Sequence, residues 1–462
     1  MYQRGAGEWP DGIGTAEDRA RLARYAEALA FYDGEQWLGR RQRGETRLTF
    51  NYARALLRKV ASYVFPAPVA FSIPAERETS PGGRWPGGPE RDEAAASRAE
   101  QALAAAIADN DLARLDIELC VEASVLADAA LKVTWEVETG RPVVVGVNPA
   151  TLAAHWLPDR PRQVERISQL YRMTSEAVTR AFGAEVGTML APGRAYPVVE
   201  EWTTAHWTVD VAGQRVRDEP NPYGWIPYVV APNNPRPHCF WGESDLVDLF
   251  DICRELNARM SVLGRVLELS GAPIAVLENV DGSDGIAVAP GAKWELPEGA
   301  KAYLLDLLGG GGIQLHIDYV NLLYRALHDL SETPRTAFGD SGRALSGAAL
   351  EVEIQPLVQR VHRKRRMWEM VFRERNELLL DLLERFGGQD LGGLRRSVTI
   401  WPSVLPSDTD SAVQNAARLV ASGIQSRRTA AAALGGNDPD GELARVLDEM
   451  TRFAAINAGD SA

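Results

Sequence analysis

The sequence predicts an α+β fold whose first half mixes strands with helices and whose second half is dominated by long helices. Three observations carry this. Short β-branched runs separated by turn residues recur from Leu131 to about residue 231. Apolar residues then return every three or four positions over Glu243–Ser270 and Gln314–Ser331. A still longer helical run, Ser346–Phe386, holds one internal proline, Pro356. Period-two runs bounded by turns build strands, and three-to-four spacing builds one apolar stripe on a helix.

Taken in order, residues 15–37 read as an Ala- and Arg-rich helix ending in the aromatic turn Phe31-Tyr32-Asp33-Gly34. Asn51 starts a second helix with Leu56, Val60 and Tyr63 on its apolar side, stopped at Phe65-Pro66 because proline disfavours helical geometry in the residue before it. Pro74–Pro89 reads as a Pro- and Gly-rich loop, and helices follow at 91–109 and 111–127. Leu131–Val137 and Pro142–Val147 form a hairpin around Glu138-Thr139-Gly140, closed by Asn148-Pro149. Strands are expected near 164–173, 198–211 and 225–231, with a helix at 175–190, and antiparallel pairing is the simplest arrangement. Glu243, Asp245 and Asp248 sit where a helix start favours acids, so the first long helix is predicted from Glu243. Residues 271–312 form a small insert with strand and turn signals, ending in Gly309–Gly312. A loop at 333–345 leads to the longest helix, where Pro356 removes a donor and crowds the carbonyl of Val352, predicting a kink. A strand at 397–401 and short helices at 410–422, 426–434 and 441–457 complete the chain.

Composition narrows the function. Hydrophobic residues make up 45% and charged residues 24% of the 462, enough for a sizeable core. Met1–Asp11 has no apolar segment of the kind a signal peptide needs, and no uncharged apolar run is long enough to span a membrane. Three cysteines (Cys120, Cys239, Cys253) argue against a disulfide framework. The net charge of −13 argues against a broad basic face that grips nucleic acid.

Five segments, in this order, resemble the portal proteins of tailed bacteriophages, of the siphophage class. They are Asn51-Tyr52-Ala53 through Phe65-Pro66-Ala67-Pro68-Val69; Ala129–Val133 with its hairpin and Asn148-Pro149; Gly224-Trp225-Ile226-Pro227-Tyr228 followed by Asn233-Asn234 and Gly242–Asp245; Leu345-Ser346-Gly347-Ala348-Ala349-Leu350; and Gly423–Thr429. No one segment is specific, but their order and their spread from about residue 20 to 450 are. The resemblance implies an N-terminal arm and α+β wing over 1–242, a two-helix stem at 243–270 and 313–332, a small clip insert at 271–312, and a tunnel loop at 333–344. A long kinked helix with a wing return strand would follow over 345–401, and a helical crown over 402–462. It further implies a dodecameric homo-oligomer at the capsid portal vertex of the virion, put together in the host cytoplasm. Double-stranded DNA would pass through it. Large terminase, a head–tail adaptor, and the major capsid and scaffolding proteins would be partners, with no membrane, cofactor, metal or catalysis.

Charge gives that resemblance a physical content. Residues 243–332 hold 15 acids and 6 bases, a net of −9, so only −4 of the total lies elsewhere. Phosphate-binding basic walls hold DNA tightly, and a translocating duplex needs the opposite. Asp248, Asp251, Glu255, Glu268, Asp318 and Asp329 are the expected channel-lining acids. In the tunnel loop, Thr333, Arg335, Thr336, Phe338, Gly339, Asp340, Ser341 and Arg343 are the expected DNA-facing residues. The basic run Arg360, Arg363, Lys364, Arg365, Arg366 is read as structural pairing, for example Arg365 with Glu369. Trp202, Trp207 and Trp225 are read as core or interface rather than stacking platforms.

Motifs of other classes do not form. Gly285–Lys293 lacks the spacing and the Ser/Thr of a phosphate-binding loop. Asp281–Gly285 lacks the later Glu of a calcium loop, and the six histidines have no zinc spacing. A metal-dependent DNA-processing enzyme with carboxylates converging from separate elements, and another head-assembly protein, stay open as alternatives.

Overall fold

The computed structural model describes residues 14–75, 92–188, 190–271, 275–279, 296, 298–304, 312–340, 347–405, 409–434, 446–447 and 450. Local chemistry fixes the N-terminal helices. Helix α1 (Ala16–Asp33) opens on a capping box between Thr15 and Asp18 and closes at Gly34, whose φ of +102° suits glycine. Asn51 caps α2 (Tyr52–Val64), which ends where Phe65 meets Pro66. After β1 (Ala70–Ser72) come α3 (Glu93–Asp109), capped by Asp92, and α4 (Leu112–Leu126). The expected loop at 74–89 lies outside the described residues beyond Ala75.

The expected hairpin is present as β2 (Asp128–Glu136) and β3 (Arg141–Val147), with Ala130 opposite Val147 and Glu136 opposite Arg141. A second sheet runs through β4 (Leu152–Leu157), β5 (Arg160–Thr174), β6 (Ala195–Thr203), β7 (His206–Val211) and β8 (Gln214–Pro220), each strand antiparallel to the next. Between β5 and β6, the helix expected at 175–190 is split into α5 (Ser175–Phe182) and α6 (Ala184–Thr188) by Gly183. The single strand expected at 198–211 is two strands, because a turn at 204–205 reverses the chain and His206 N–H donates to Thr203 Oγ1 at 2.9 Å. Strand β9 (Tyr228–Pro232) returns to pair with β2 on the side away from β3.

The first long helix does not begin at Glu243. A 3-10 turn spans Val247–Leu249, and α7 is Phe250–Gly271, 22 residues or about 33 Å. The preceding residues are used differently: Ser244 Oγ donates to the Val125 carbonyl at 2.6 Å, and Asp245 is drawn into a buried ion pair. Strands β10 (Ala275–Glu278) and β11 (Lys301–Leu304) pair within the predicted insert, most of which, with Gly309–Gly311, lies outside the described residues. Helix α8 is Gly312–Leu330, and α9 is Gly347–Arg385 with Pro356 inside it. Beyond it lie β12 (Val398–Ile400), paired with β1, then α10 (Thr409–Ala421) and α11 (Arg427–Ala433). The helix expected at 441–457 lies outside the described residues except at 446, 447 and 450.

Helix α9 is the spine of the main core. Leu357, Val361, Trp368, Val371, Phe372, Leu379 and Leu380 are buried on it, and Trp368 and Phe372 enclose Phe65 with ring centroids 5.4 and 6.1 Å away. In the sheets, Trp207, Trp202, Tyr223 and Trp225 stack one on the next at 4.8, 5.8 and 4.8 Å. Trp202 is buried, which is the core role expected of these residues.

Gly242 marks the entry to the helical half. A Cβ there would fall 2.0 Å from the Asn233 carbonyl oxygen and 2.5 Å from that of Ala127, both backbone atoms. Gly242→Ala is expected to cost about 3 kcal/mol or more in urea unfolding. Gly140→Ala, at φ +63° with nothing within 4 Å, is expected to cost only about 1 kcal/mol.

Candidate functional site

Asn233, Asp245 and Lys364 meet where β9, the start of α7 and the middle of α9 converge. Asp245 N–H donates to the Ser124 carbonyl at 3.0 Å and Asn233 N–H to that of Ala127 at 2.7 Å, so the backbone is already held. The Asp245 carboxylate, 3% exposed, accepts Lys364 Nζ at 2.7 Å, and the Arg360 guanidinium lies 3.2 Å away. Lys364 also donates to Ser124 Oγ at 3.2 Å and to Asn233 Oδ1. Burial by itself pushes the Asp245 carboxyl up, but Lys364 first and Arg360 next outweigh it and hold it well below the usual carboxylate range.

The rest of the basic run is spent the same way. Arg360 reaches the Ser331 carbonyl and Arg363 pairs with Glu332, tying α9 to the end of α8. Arg365 does not take Glu369 as expected. It donates to the carbonyls of Val64 at 3.1 Å and Pro402 at 2.8 Å and lies over Trp401, while Glu369 accepts the Trp401 indole N–H. A desolvated carbonyl gains more from a donor than an exposed carboxylate does, and Glu369 already has the indole. Arg366 is exposed.

Residues 331–340 form a pinned turn. Thr333 is buried, its hydroxyl donating to the Ser331 carbonyl at 2.9 Å, and its own carbonyl accepts His328 Nδ1–H at 2.6 Å. A 3-10 turn, Arg335–Phe338, closes at Gly339 with φ +84°. Arg335 pairs with Asp340 and lies over the Tyr324 ring at 5.3 Å. Phe338, half-exposed, sits between His328 and the ammonium of Lys59. Beside the turn is a cavity of about 350 Å3 lined by Arg325, His328, Asp329, Arg335, Thr336 and Asp340, with the buried Thr336 Oγ1 lacking a protein partner. Ser341 and Arg343 lie outside the described residues.

Helices α7 and α8 pack side by side and share a small core with α1 and α2. Leu249, Cys253 and Leu256 are buried in it against Phe31, Leu56 and Leu327. That cover stops part-way along. Further out, Leu267 is 53% exposed on α7 and Leu315 73% exposed on α8, while Leu322, level with the covered Val320 and Leu323 but on another face of α8, is 61% exposed. Of the expected acids, Asp248, Asp251, Glu268, Asp318 and Asp329 are exposed, whereas Glu255 is tied to Arg259 at 2.6 Å and accepts the Tyr319 hydroxyl at 3.3 Å. Among the described residues, no three His, Cys, Asp or Glu side chains gather as a metal site requires. No helix there is long and apolar enough to cross a membrane. The segments Asp281–Gly285 and Gly285–Lys293 lie outside the described residues.

One feature was not foreseen from the sequence. Residues 36–50 form a strap along α7. Asn257 Nδ2 donates to Gln36 Oε1 at 2.6 Å, and Asn257 Oδ1 accepts Phe50 N–H at 2.8 Å. Ser261 Oγ accepts Leu48 N–H at 2.9 Å, and Arg265 donates to the Gly44 carbonyl at 2.8 Å. The available signal is Asn257, Ser261 and Arg265 at four-residue spacing, one polar stripe along the helix.

Two measurements check the buried charges. Lys364→Met leaves the Asp245 carboxylate with Arg360 as its one paired cation and is expected to cost about 3–5 kcal/mol in chemical unfolding, part of it recovered by adding Asp245→Asn. Tyr25 donates its hydroxyl to buried Asp128, and burial pushes the Asp128 carboxyl up to about 6 against that bond and the one from Gly242 N–H. An unfolded Asp titrates at about 3.9, so the folded state holds this proton more tightly. Its contribution to stability therefore falls as pH rises between those two values and is level above about 6. Asp128→Asn is expected to remove that part of the slope in unfolding midpoints taken from pH 4 to 7.

No curated protein matches the chain. Residues 311–453 match the family described as phage portal protein, SPP1 Gp6-like, a span that takes in the whole of α8, the pinned turn, α9, β12, α10 and α11. The match supports a tailed-phage portal protein.

Proposed function

We propose that the chain is the ring subunit of a portal vertex, a passive conduit for double-stranded DNA during packaging and ejection. In this reading α7 and α8 are the stem, the β10–β11 hairpin belongs to the clip, residues 333–344 are the tunnel loop, and α10 and α11 begin the crown. Twelve copies surround the channel, the clip meets large terminase and later the head–tail adaptor, and the ring sits among capsid and scaffolding proteins after assembly in the host cytoplasm.

The observation that carries the reading is the uncovered apolar surface on α7 and α8. Leu267 and Leu315 lie beyond the part of each helix that the shared core covers, and Leu322 lies on a face of α8 turned away from it, where exposure of side chains this size is costly. Identical neighbours packed side by side would bury them. The acid surplus of residues 243–332 supports a wall without a deep well for phosphate. The pinned turn refines the tunnel loop: Thr333 is a buried anchor and the Thr336 hydroxyl is buried too, so contact with DNA falls to Arg335, Phe338, Gly339 and Asp340 and to the segment that follows.

Native mass spectrometry with negative-stain imaging is expected to show a ring with a central hole, and a compact monomer at all concentrations would sink the proposal. Linear duplex DNA is expected to bind the purified ring weakly, with a shallow dependence on salt. Tight binding with a steep salt slope would count against a repulsive wall, and magnesium-dependent cleavage would favour a DNA-processing enzyme.

A further inference from the structure

The strap along α7 carries a basic tip that the portal reading leaves unexplained. Its shape is fixed by its own bonds. The Trp37 indole N–H donates to Thr49 Oγ1 at 3.1 Å and closes the base of the loop. Arg47 lies over the Trp37 ring and donates to the carbonyls of Gly39 at 3.0 Å and Arg40 at 3.1 Å. Arg41 Nε donates to the Glu45 carbonyl at 2.8 Å. The guanidinium groups of Arg40 and Arg43 take no part in this frame. Both are exposed, and among the described residues neither has an ion-pair partner. Leu38 beside them is 71% exposed. The result is a rigid loop that holds two free guanidinium groups and a leucine outward.

Its position on the α7–α8 pair is equally defined. The strap uses Asn257 and Ser261, whereas Glu255 and Arg259 face α8 through Tyr319. A two-residue offset is about 200° around a helix, so the strap and α8 lie on opposite sides of α7. On α8, Leu315, Asp318 and Leu322 share one exposed face, at a spacing of three and four, while Tyr319 turns to α7. Tyr319 is level with Glu255 and Arg259, and the helices run in opposite directions, so the turn from Leu315 to Asp318 lies at the height of the strap.

We infer that the strap tip, Leu38 with Arg40 and Arg43, docks on the Leu315–Asp318–Leu322 face of α8 in a second copy of the chain. The inference rests on the ring reading and names its contact. Both halves match: leucine meets leucine, and two cations meet an acid. The two surfaces lie on opposite flanks of one subunit, which is the geometry of a head-to-tail contact that repeats around a ring. Asp318 thereby belongs to the seam between subunits rather than to the wall. A nucleic-acid phosphate is the poorer occupant, because the adjoining residues 243–332 carry a net −9.

The test uses the full-length chain. Arg40→Glu/Arg43→Glu is expected to raise the concentration for half-assembly about tenfold or more in native mass spectrometry and sedimentation, with the thermal midpoint of the monomer unchanged. Adding Asp318→Arg is expected to restore assembly, although it returns only half of the charge removed, which separates a contact from general repulsion. A wild-type ring indifferent to the double substitution overturns the contact and leaves the ring standing. Loss of duplex affinity without loss of assembly also overturns it, in favour of nucleic acid. A wild-type chain that never assembles overturns the ring reading and this contact together.

Discussion

The buried carboxylate of Asp245 is the constraint on which the helical half depends. An ionised acid taken out of water is tolerated only if cations and donors replace the lost hydration. Lys364, Arg360 and Asn233 do so from two other elements, α9 and the end of β9. Because the carboxylate and its partners come from three parts of the chain, the start of the helical half, α9 and the end of β9, the interaction acts as a three-way joint. It sets the angle at which the chain leaves the sheet, and Gly242 lets the backbone pass close enough for the joint to close. Everything beyond it, α7 and α8 included, is oriented by that point.

The elements that were legible in the sequence are those whose signals are local. The capped α1 and α2, the β2–β3 hairpin, α8 and the long α9 all have periodic apolar positions or a proline or glycine at the boundary. What was missed depends on distant partners. The three acids at 243–248 read as a helix start, yet Asp245 is claimed by a lysine 119 residues later, and α7 begins only at Phe250. Strands β4 and β8 are the outer strands of their sheet, and their sequences, ending in His155-Trp156-Leu157 and rich in charge at Arg215–Glu219, carry little alternation. Arg365 has an acid four residues away and still turns to backbone carbonyls, since nothing in its neighbourhood along the chain announces that Val64 and Pro402 will arrive there.

The site was legible to the same degree and for the same reason. The acid surplus of residues 243–332 is a count and needs no fold. Which of those acids is free is a matter of packing: Glu255 is neutralised by Arg259, one turn along the same helix, while Asp251 and Glu268 are exposed. The strap had a trace in the spacing of Asn257, Ser261 and Arg265. Reading it required knowing that the segment after α1 folds back on a helix more than 200 residues away.

Pro356 gives α9 an uneven stiffness. Without its N–H, the turn it ends holds one bond fewer than the rest of the helix, and exposed Val352 leaves the unmatched carbonyl to water. That soft point is eight residues, about 12 Å, ahead of Lys364. A lateral push on the first turns of α9 is therefore absorbed upstream of the charged joint. Compliance and grip thus sit at different points of one helix, so strain at its start is separated from the joint by two turns.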